Sequence, residues 1–477
     1  MKHNRPKVIL YKPALRIIGN RYDFLFKDKV TVLEHYFNLE IVEHTAENKL
    51  SDICNGSHAA IFLYVNLNLN SEMYAYDTLK FLRKLKTPKI AIYNTDPFAS
   101  SRYAGIELIK YLKCCAILAS DPSVSGYLKL PTIPMFYWPW SVGMARTSKI
   151  KKKHDLLASS RQKISDGYYM FRMKEGPRIE ALFSDIIKPS DYSWDKFQDA
   201  ISLSKFAYTC GSCSNTLVMK HLEIPSNRTC LITEETPIIR AAGFEDMVNC
   251  ITGSGKELIS KIQAVKDDSK LYQTITDNGM NLVQEKHHYR SRTQASDLVR
   301  HIMNGEDLNN LSQKCPFSPI TTDKNDLLSH PWISQMPPRE LAYMKEFENR
   351  APPNYDIKSI DAVGNYVRKY HPEFYLMKYR MCMKKNLFKD AHNAVAYFFK
   401  TALYSDNIVI LDTGLIETVF KNNKIGLVIE KHLRGIHFID ISISSKIKLW
   451  LFRKFFTMPN GVALTFYKLT NWFKGKN

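Results

Sequence analysis

The stretch from Thr209 to Thr236, TCGSCSNTLVMKHLEIPSNRTCLITEET, holds the residues best suited to chemistry. A small-residue loop, Gly211 to Ser214, leads into a short helical pattern that ends in Lys220, Glu223 and the stop residue Pro225. An apolar strand pattern, Cys230–Thr233, follows. Such a loop leaves backbone N–H groups at a helix start, which is a ready anion site. Lys220 and Glu223 have the spacing that shares a helix face. A cation for phosphate and a carboxylate for sugar hydroxyls, beside such a helix start, suit a nucleotide-sugar. The same residues also read as a surface loop with a solvated Lys–Glu pair.

These residues need a scaffold, and the chain on both sides supplies one. Residues 1–145 alternate apolar strand patterns (Lys7–Tyr11, Ala59–Val65, Lys89–Asn94, Ala116–Ala119, Pro134–Trp138) with helical ones such as Met73–Leu85 and Gly105–Leu112. Near-continuous apolar strands alternating with helices imply a parallel sheet covered on both faces. The lysines of TSKIKKKHD mark a polar linker near 146–155. A second alternating unit follows, with strands near Asp155–Ala158 and Phe206–Thr209 and helices near Gly176–Phe183, Gly255–Val265 and Ser269–Glu285. Ligands in such sheets bind outside the carboxyl ends of the strands. Residues 306–345 are proline-rich and irregular, and from about 355 the pattern is mostly helical, including Phe374–Leu387 and Lys389–Ala402.

The second unit resembles the C-terminal domain of group 1, family-4-like glycosyltransferases, in the spore-maturation-protein-like branch. The resemblance rests on YMFR (Tyr169–Arg172), KHLEIP (Lys220–Pro225), LITEET (Leu231–Thr236), GFEDMVNCI and the closing EKHHYRSR (Glu285–Arg292), in that order. It covers roughly residues 150–300. It implies an α/β fold of two facing Rossmann-like domains, the GT-B type, with the donor held by the second. The divisions expected are 1–148 for the acceptor side, 149–305 for nucleotide-sugar binding, and 306–477 for a mainly helical basic extension. It implies transfer of a sugar from a nucleotide-diphosphate-sugar to a glycan or lipid-linked acceptor. Negative charge grows on the β-phosphate as the glycosidic bond breaks, and cations aimed at it lower the barrier. Arg172 and Lys220 are the candidate cations. Glu223 is the candidate for the ribose hydroxyls, since a carboxylate accepts two hydrogen bonds from a diol. Ser214, Asn215 and Thr216 are candidates for the phosphates, and Glu234, in LITEET, for a further donor contact. Asp96, in TDPF after a strand, is the candidate base on the acceptor side; it also reads as a helix cap or turn residue. Retaining members of the wider group carry a second glutamate upstream. With Glu223 as the later of the pair, the earlier position here is Asn215, an amide that carries no charge, so the stereochemical course stays open.

No Asp-x-Asp triplet occurs in the chain, and Asp412 in ILDTG reads as a turn residue. The expectation is therefore no metal and no cofactor, with side-chain cations in their place. Cys210 and Cys213 form a CxxC without a second pair or a histidine cluster, so neither zinc nor redox chemistry is expected there.

Charge and composition set the outer limits. The 477 residues carry a formal charge of +20, which fits nucleic acid, an anionic membrane face or anionic small substrates. Nine scattered cysteines, an odd number, favour reduced thiols and a cytoplasmic site. The beginning MKHNRPKVILYKP lacks the long apolar core of a signal peptide, and no apolar run approaches a membrane span. A dense basic block, Lys446 to Lys476, interleaves aromatics such as Trp450, Phe455, Phe466 and Trp472 with lysines and arginines. It suits an anionic lipid interface and peripheral membrane contact. It also fits a nucleic-acid surface or an amphipathic helix packed on the protein. Two rival readings of the whole chain stand beside sugar transfer. One is a scaffold that kept the fold and lost the chemistry, supported by Asn215. The other is a nucleic-acid-binding protein, supported by charge alone.

Overall fold

A computed structural model describes residues 5–13, 23–44, 58–64, 81–93, 109–110, 112–121, 133–143, 150–158, 170–188, 194–211, 216–323 and 372–385, with scattered positions between 358 and 438. The expected Asp96, Ser214 and Asn215, the turn residue Asp412 and the basic block 446–476 lie outside these residues.

The first unit is a six-stranded sheet built from β1 (Lys7–Pro13), β2 (Asn38–His44), β3 (Ala60–Tyr64), β4 (Lys89–Tyr93), β5 (Ala116–Ala119) and β6 (Met135–Tyr137). The order is β2-β1-β3-β4-β5-β6 and every pair is parallel. The strands β3, β4 and β5 are buried along their length because both faces are covered, as their unbroken apolar runs require. On one face Val8, Leu10, Phe62, Ile90, Ile92 and Leu118 pack against Val32 and Leu33 of α1 (Asp23–Tyr36). Burying each such side chain contributes roughly 1.5–3 kcal/mol.

The second unit is a five-stranded parallel sheet, β11-β10-β9-β7-β8, from β7 (His154–Leu157), β8 (Ile186–Ile187), β9 (Ser204–Tyr208), β10 (Cys230–Thr233) and β11 (Ile251–Thr252). Alternate residues face opposite ways, as a period of two demands. Leu157, Ala207 and Leu231 pack under α4 (Trp194–Leu203), α5 (Lys220–Ser226) and α8 (Ser269–Lys286). Leu156, Phe206, Tyr208 and Ile232 pack under α2 (Met170–Lys174), α3 (Gly176–Glu180) and α7 (Gly255–Asp267). A short helix, α6 (Pro237–Ala241), follows β10. Gly279 lets α8 close on its neighbours: a Cβ there would sit 2.7 Å from the carbonyl of Asn249 and 3.3 Å from Pro225 of α5. The two Rossmann-like units expected from the strand–helix alternation are both present.

The chain crosses from the first unit at Trp138–Gly143 and returns at His287–Arg292, and the two crossings lie side by side. Val142 and His288 form a parallel bridge, closed by bonds from the Val142 amide to the His287 carbonyl and from the Tyr289 amide to the Val142 carbonyl, each 3.0 Å. After the return, α9 (Gln294–Met303) packs on the first sheet through Ala295, Leu298 and Val299. The segment read as irregular after 306 forms a small antiparallel ladder, β12 (Ser312–Gln313) with β13 (Ile320–Thr321). The buried Gln313 side chain then finishes the edge of β6, accepting from the Tyr137 amide at 2.8 Å and donating to its carbonyl at 2.9 Å. Of the later helical pattern, α10 (Pro372–Lys384) is described.

Two local expectations are corrected. Of the polar linker expected near 146–155, residues 150–155 are described, and a lysine within it is anchored to the second unit. Lys152 is half-buried and donates to the carbonyls of Ser202 and Asn227 (both 3.0 Å) and to Thr229 Oγ1 (2.9 Å). Burial, then the nearby Arg228 charge, pushes its ammonium down to about 7. The helix of KHLEIPS begins at Lys220, later than the pattern after the 211–214 loop implies, and Pro225 lies inside it rather than stopping it. Proline removes one helical donor. The helix then stops a residue later, where Arg228 takes a positive φ of 52°. The Glu223 carbonyl is taken by Ser226 Oγ and Asn227 Nδ2, both at 2.8 Å.

Candidate nucleotide-binding site

The order of the second sheet reverses between β7 and β9. From β7 the chain moves outward to β8, then returns across β7 to build β9, β10 and β11. At such a reversal the loops part on opposite faces and leave a crevice beyond the strand ends. Arg172 stands on α2, the first described element after β7, and Thr209 follows β9 directly. Arg172 is buried and its Nη2 donates to Thr209 Oγ1 at 3.0 Å. The bond spans the switch point.

Lys220 and Glu223 reach the same place from α5. Arg172 and Glu223 both act electrostatically on Lys220, and Arg172 and Glu234 both act on Cys210. Two carboxylates, two cations and the end of β9 thus share one neighbourhood. Glu223 is buried, and its Oε1 accepts from Gln198 Nε2 of α4 at 2.8 Å. Lys220 is half-buried with its ammonium 4.8 Å from the centre of the Phe197 ring, also on α4. That ammonium makes no hydrogen bond among the described residues. Burial first, then the charge of Arg172, pushes it down to about 8, with Glu223 opposing. At neutral pH it remains mostly protonated, a cation held with few partners.

His221 sets the position of α5. It is fully buried, its Nδ1 accepts from the Val218 amide at 3.0 Å, and its Nε2 lies 3.0 Å from Thr233 Oγ1 at the end of β10. With Nδ1 accepting, the proton sits on Nε2 and is donated to Thr233. Burial drives the imidazole down to about 3, so it stays neutral. The start of α5 is thereby fastened to the strand end that precedes Glu234.

The expected anion site at this helix start is altered. The amides of His221, Leu222 and Glu223 already donate to the carbonyls of Val218 and Met219. The polar groups that α5 offers are therefore side chains. Of the loop amides expected around 214–216, Thr216 is described, and it is buried. Cys210 is buried too, and burial pushes its thiol up to about 11, against the opposing charge of Arg172. It stays a thiol at neutral pH.

The structure brings together Arg172, Lys220, Glu223 and Glu234. Sequence reasoning passed over Thr209, Phe197, Gln198, His221 and Thr233. Thr209 carried a signal, since it ends a strand where ligands bind. Gln198 and Phe197 carried none, because only the packing of α4 on α5 makes them neighbours of the site.

No family model matches the chain, and no curated protein matches it. Solved structures do resemble it. Sucrose-phosphate synthase from Thermosynechococcus elongatus is 9% identical, with a TM-score of 0.42 over 63% of this chain and 100% of that one. An α-glucosyltransferase in complex with UDP and a 13-mer DNA containing an HMU base is 10% identical, with a TM-score of 0.43 over 63% and 100%. AviGT4, a glycosyltransferase involved in avilamycin A biosynthesis, is 9% identical, with a TM-score of 0.40 over 63% and 98%. At such identities and TM-scores the likeness does not extend to activity.

Proposed function

We propose that this protein transfers a sugar from a nucleoside-diphosphate-sugar to an acceptor hydroxyl, with the donor held at the β7/β9 switch point. The observation that carries the reading is the Arg172–Thr209 bond across that point, with Lys220 and Glu223 on the adjoining helix. In this reading Arg172 and Lys220 face the diphosphate and offset the charge that grows on it as the glycosidic bond breaks. Such preorganised donors are typically worth ~10²–10³ in rate. Glu223, held by Gln198, accepts from the ribose hydroxyls, and Ser214, Asn215, Thr216 and Glu234 complete the donor contacts. The acceptor oxygen bonds to the anomeric carbon and gives its proton to Asp96, which follows β4 in the chain. Two side-chain cations at one site support a reaction without metal. A glycan or lipid-linked acceptor, met at the cytoplasmic membrane face through 446–476, belongs to the same proposal.

A thermal-shift panel of nucleoside diphosphates and nucleotide-sugars tests the donor. A ligand at a hundred times its Kd stabilises the fold by about 2.7 kcal/mol. A shift with one nucleotide class, lost in Arg172→Ala, is the expected result. Transfer that withstands a chelator is expected as well. No shift with any nucleotide in folded protein would sink the reading in favour of a scaffold.

A further inference from the structure

A second basic cluster lies away from the donor site, where α1 meets the returning chain. Its centre is the ring of Tyr289, in the short 3-10 turn Tyr289–Ser291. The His288 ring lies 4.2 Å from it, and His35, from the last turn of α1, lies edge-on at 5.4 Å. The Arg290 guanidinium sits 5.6 Å from the same ring, and its Nε is 3.3 Å from Tyr289 Oη. Arg5 joins from before β1, donating to the Glu34 carbonyl at 3.1 Å and acting on His35 through its charge. Tyr36 Oη donates to the Arg290 carbonyl and fastens the turn to α1.

The donors in this cluster are under-used. His288 Nδ1 accepts from the Arg290 amide at 3.3 Å, which leaves the proton on Nε2. That N–H has no hydrogen-bond partner among the described residues, although His288 is only 8% exposed. His35 makes ring contacts alone. The charges acting on the two imidazoles are Arg5 and Arg290 and, on His288, His35. No carboxylate is among them: Glu34 is exposed, and Asp297 of α9 acts on Tyr36 instead. Burial first, then these guanidiniums, holds both imidazoles below their ordinary range.

We propose that His35, His288 and Arg290, gathered around Tyr289, form with Arg5 beside His35 a binding site for a phosphate group. Guanidinium forks match the paired oxygens of a phosphate, and the imidazole N–H groups supply further donors. The ligand is either a soluble phosphorylated compound or the headgroup of an anionic lipid. The site touches the Val142–His288 bridge, so an occupant would bear on the segment joining the two units.

Histidine ring NMR of the full chain, titrated with pH in inorganic phosphate or in chloride at equal ionic strength, tests this. His35→Gln and His288→Gln assign the signals. The expected result is a rise in both imidazole pKa values in phosphate, by ~0.5 unit or more. The rise should vanish in the Arg5→Gln/Arg290→Gln double variant, whose fold is checked by circular dichroism. Sedimentation with phosphatidylglycerol vesicles separates the sources. Vesicle binding lost in the double variant assigns the site to a headgroup, whereas a phosphate response without vesicle binding assigns it to a soluble ligand. Two imidazoles indifferent to phosphate, or a rise that survives the double variant, overturns the proposal.

Discussion

Two sets of the same three residue types, buried or half-buried, stand in this molecule, one at the crossing between the units and one at the switch point. At the crossing, Lys29 donates to the carbonyls of Trp138 and Pro139, both at 2.8 Å, and pairs with Asp28 at 3.4 Å. Arg292, fully buried, donates to the Trp140 carbonyl through Nε (3.0 Å) and Nη2 (2.9 Å), to the Lys286 carbonyl (2.8 Å) and to His287 Nδ1 (2.7 Å). His287 donates in turn to the Ala242 carbonyl at 2.7 Å. At the switch point Lys220, Arg172 and His221 repeat the cast. Burial pushes both lysines down to about 8 and both histidines down to about 3. Desolvation is thus common to the two sets. The difference is how the donors are used: main-chain carbonyls absorb those of Lys29 and Arg292, whereas Lys220 meets only a ring face and nearby charges. A buried cation whose donors are saturated by backbone is a structural clamp. One held without such partners is poised for a ligand.

The sharpest way to break the comparison is to exchange the roles. Arg292→Ala leaves the Trp140 and Lys286 carbonyls and His287 Nδ1 without their donor and should cost about 3–5 kcal/mol of stability, read from denaturant midpoints. Arg172→Ala should lower the midpoint less, by about 1–3 kcal/mol for the lost bond to Thr209, while abolishing nucleotide binding. Equal stability losses in the two would erase the distinction.

Lys220→Met should lower transfer ~10²–10³-fold with a midpoint unchanged or slightly raised, since a poorly partnered buried charge disfavours folding. Lys29→Met should do the reverse, lowering the midpoint and leaving nucleotide affinity alone. Calorimetric titration beside chemical denaturation gives both values.

His221→Phe removes two hydrogen bonds and puts a somewhat larger apolar ring in their place. A loss of ~1–2 kcal/mol is expected, with KM for the donor raised more than kcat is lowered. Thr233→Val should be nearly silent on the His221→Phe background and costly alone. Additive losses would show that the two residues do not act together.

The smallest effect is in pH. Lys220 is protonated below about 8, so transfer should decline as pH rises through that value. Stability should move the other way. Between about 8 and the ordinary lysine range the unfolded chain binds more protons than the native state at Lys29 and Lys220, so stability rises with pH there. Lys152, pushed to about 7, adds the same slope from a lower starting point. A rate profile flat between pH 7 and 9 would remove Lys220 from the chemistry.

The legibility of the chain followed the range of the interactions. Strands such as Ala116–Ala119 and Cys230–Thr233 match their sequence patterns residue for residue, because a strand covered on both faces must be an unbroken apolar run. The short β8, Ile186–Ile187, carried too little pattern to be seen. The end of KHLEIPS differs from its pattern because proline reads as a stop, whereas here packing against α8 and side-chain caps carry the helix past it. The same locality governed the site. Lys220 and Glu223 were legible as a pair because one turn of helix joins them. The Gln198 that holds Glu223, and the Phe197 beneath Lys220, were not.

By itself the sequence determined two parallel α/β units and a short stretch dense in phosphate- and sugar-binding residue types. Hydrophobic periodicity is a property of neighbours in the chain, so it survives in the string of letters. Only the tertiary structure decided that Arg172 meets Thr209, which depends on β7 and β9 becoming adjacent strands. Only it decided that Lys29 and Arg292 close on one crossing. Desolvation and hydrogen-bond saturation act between residues distant in sequence, and they alone separate a cation that holds the fold from one left for a ligand.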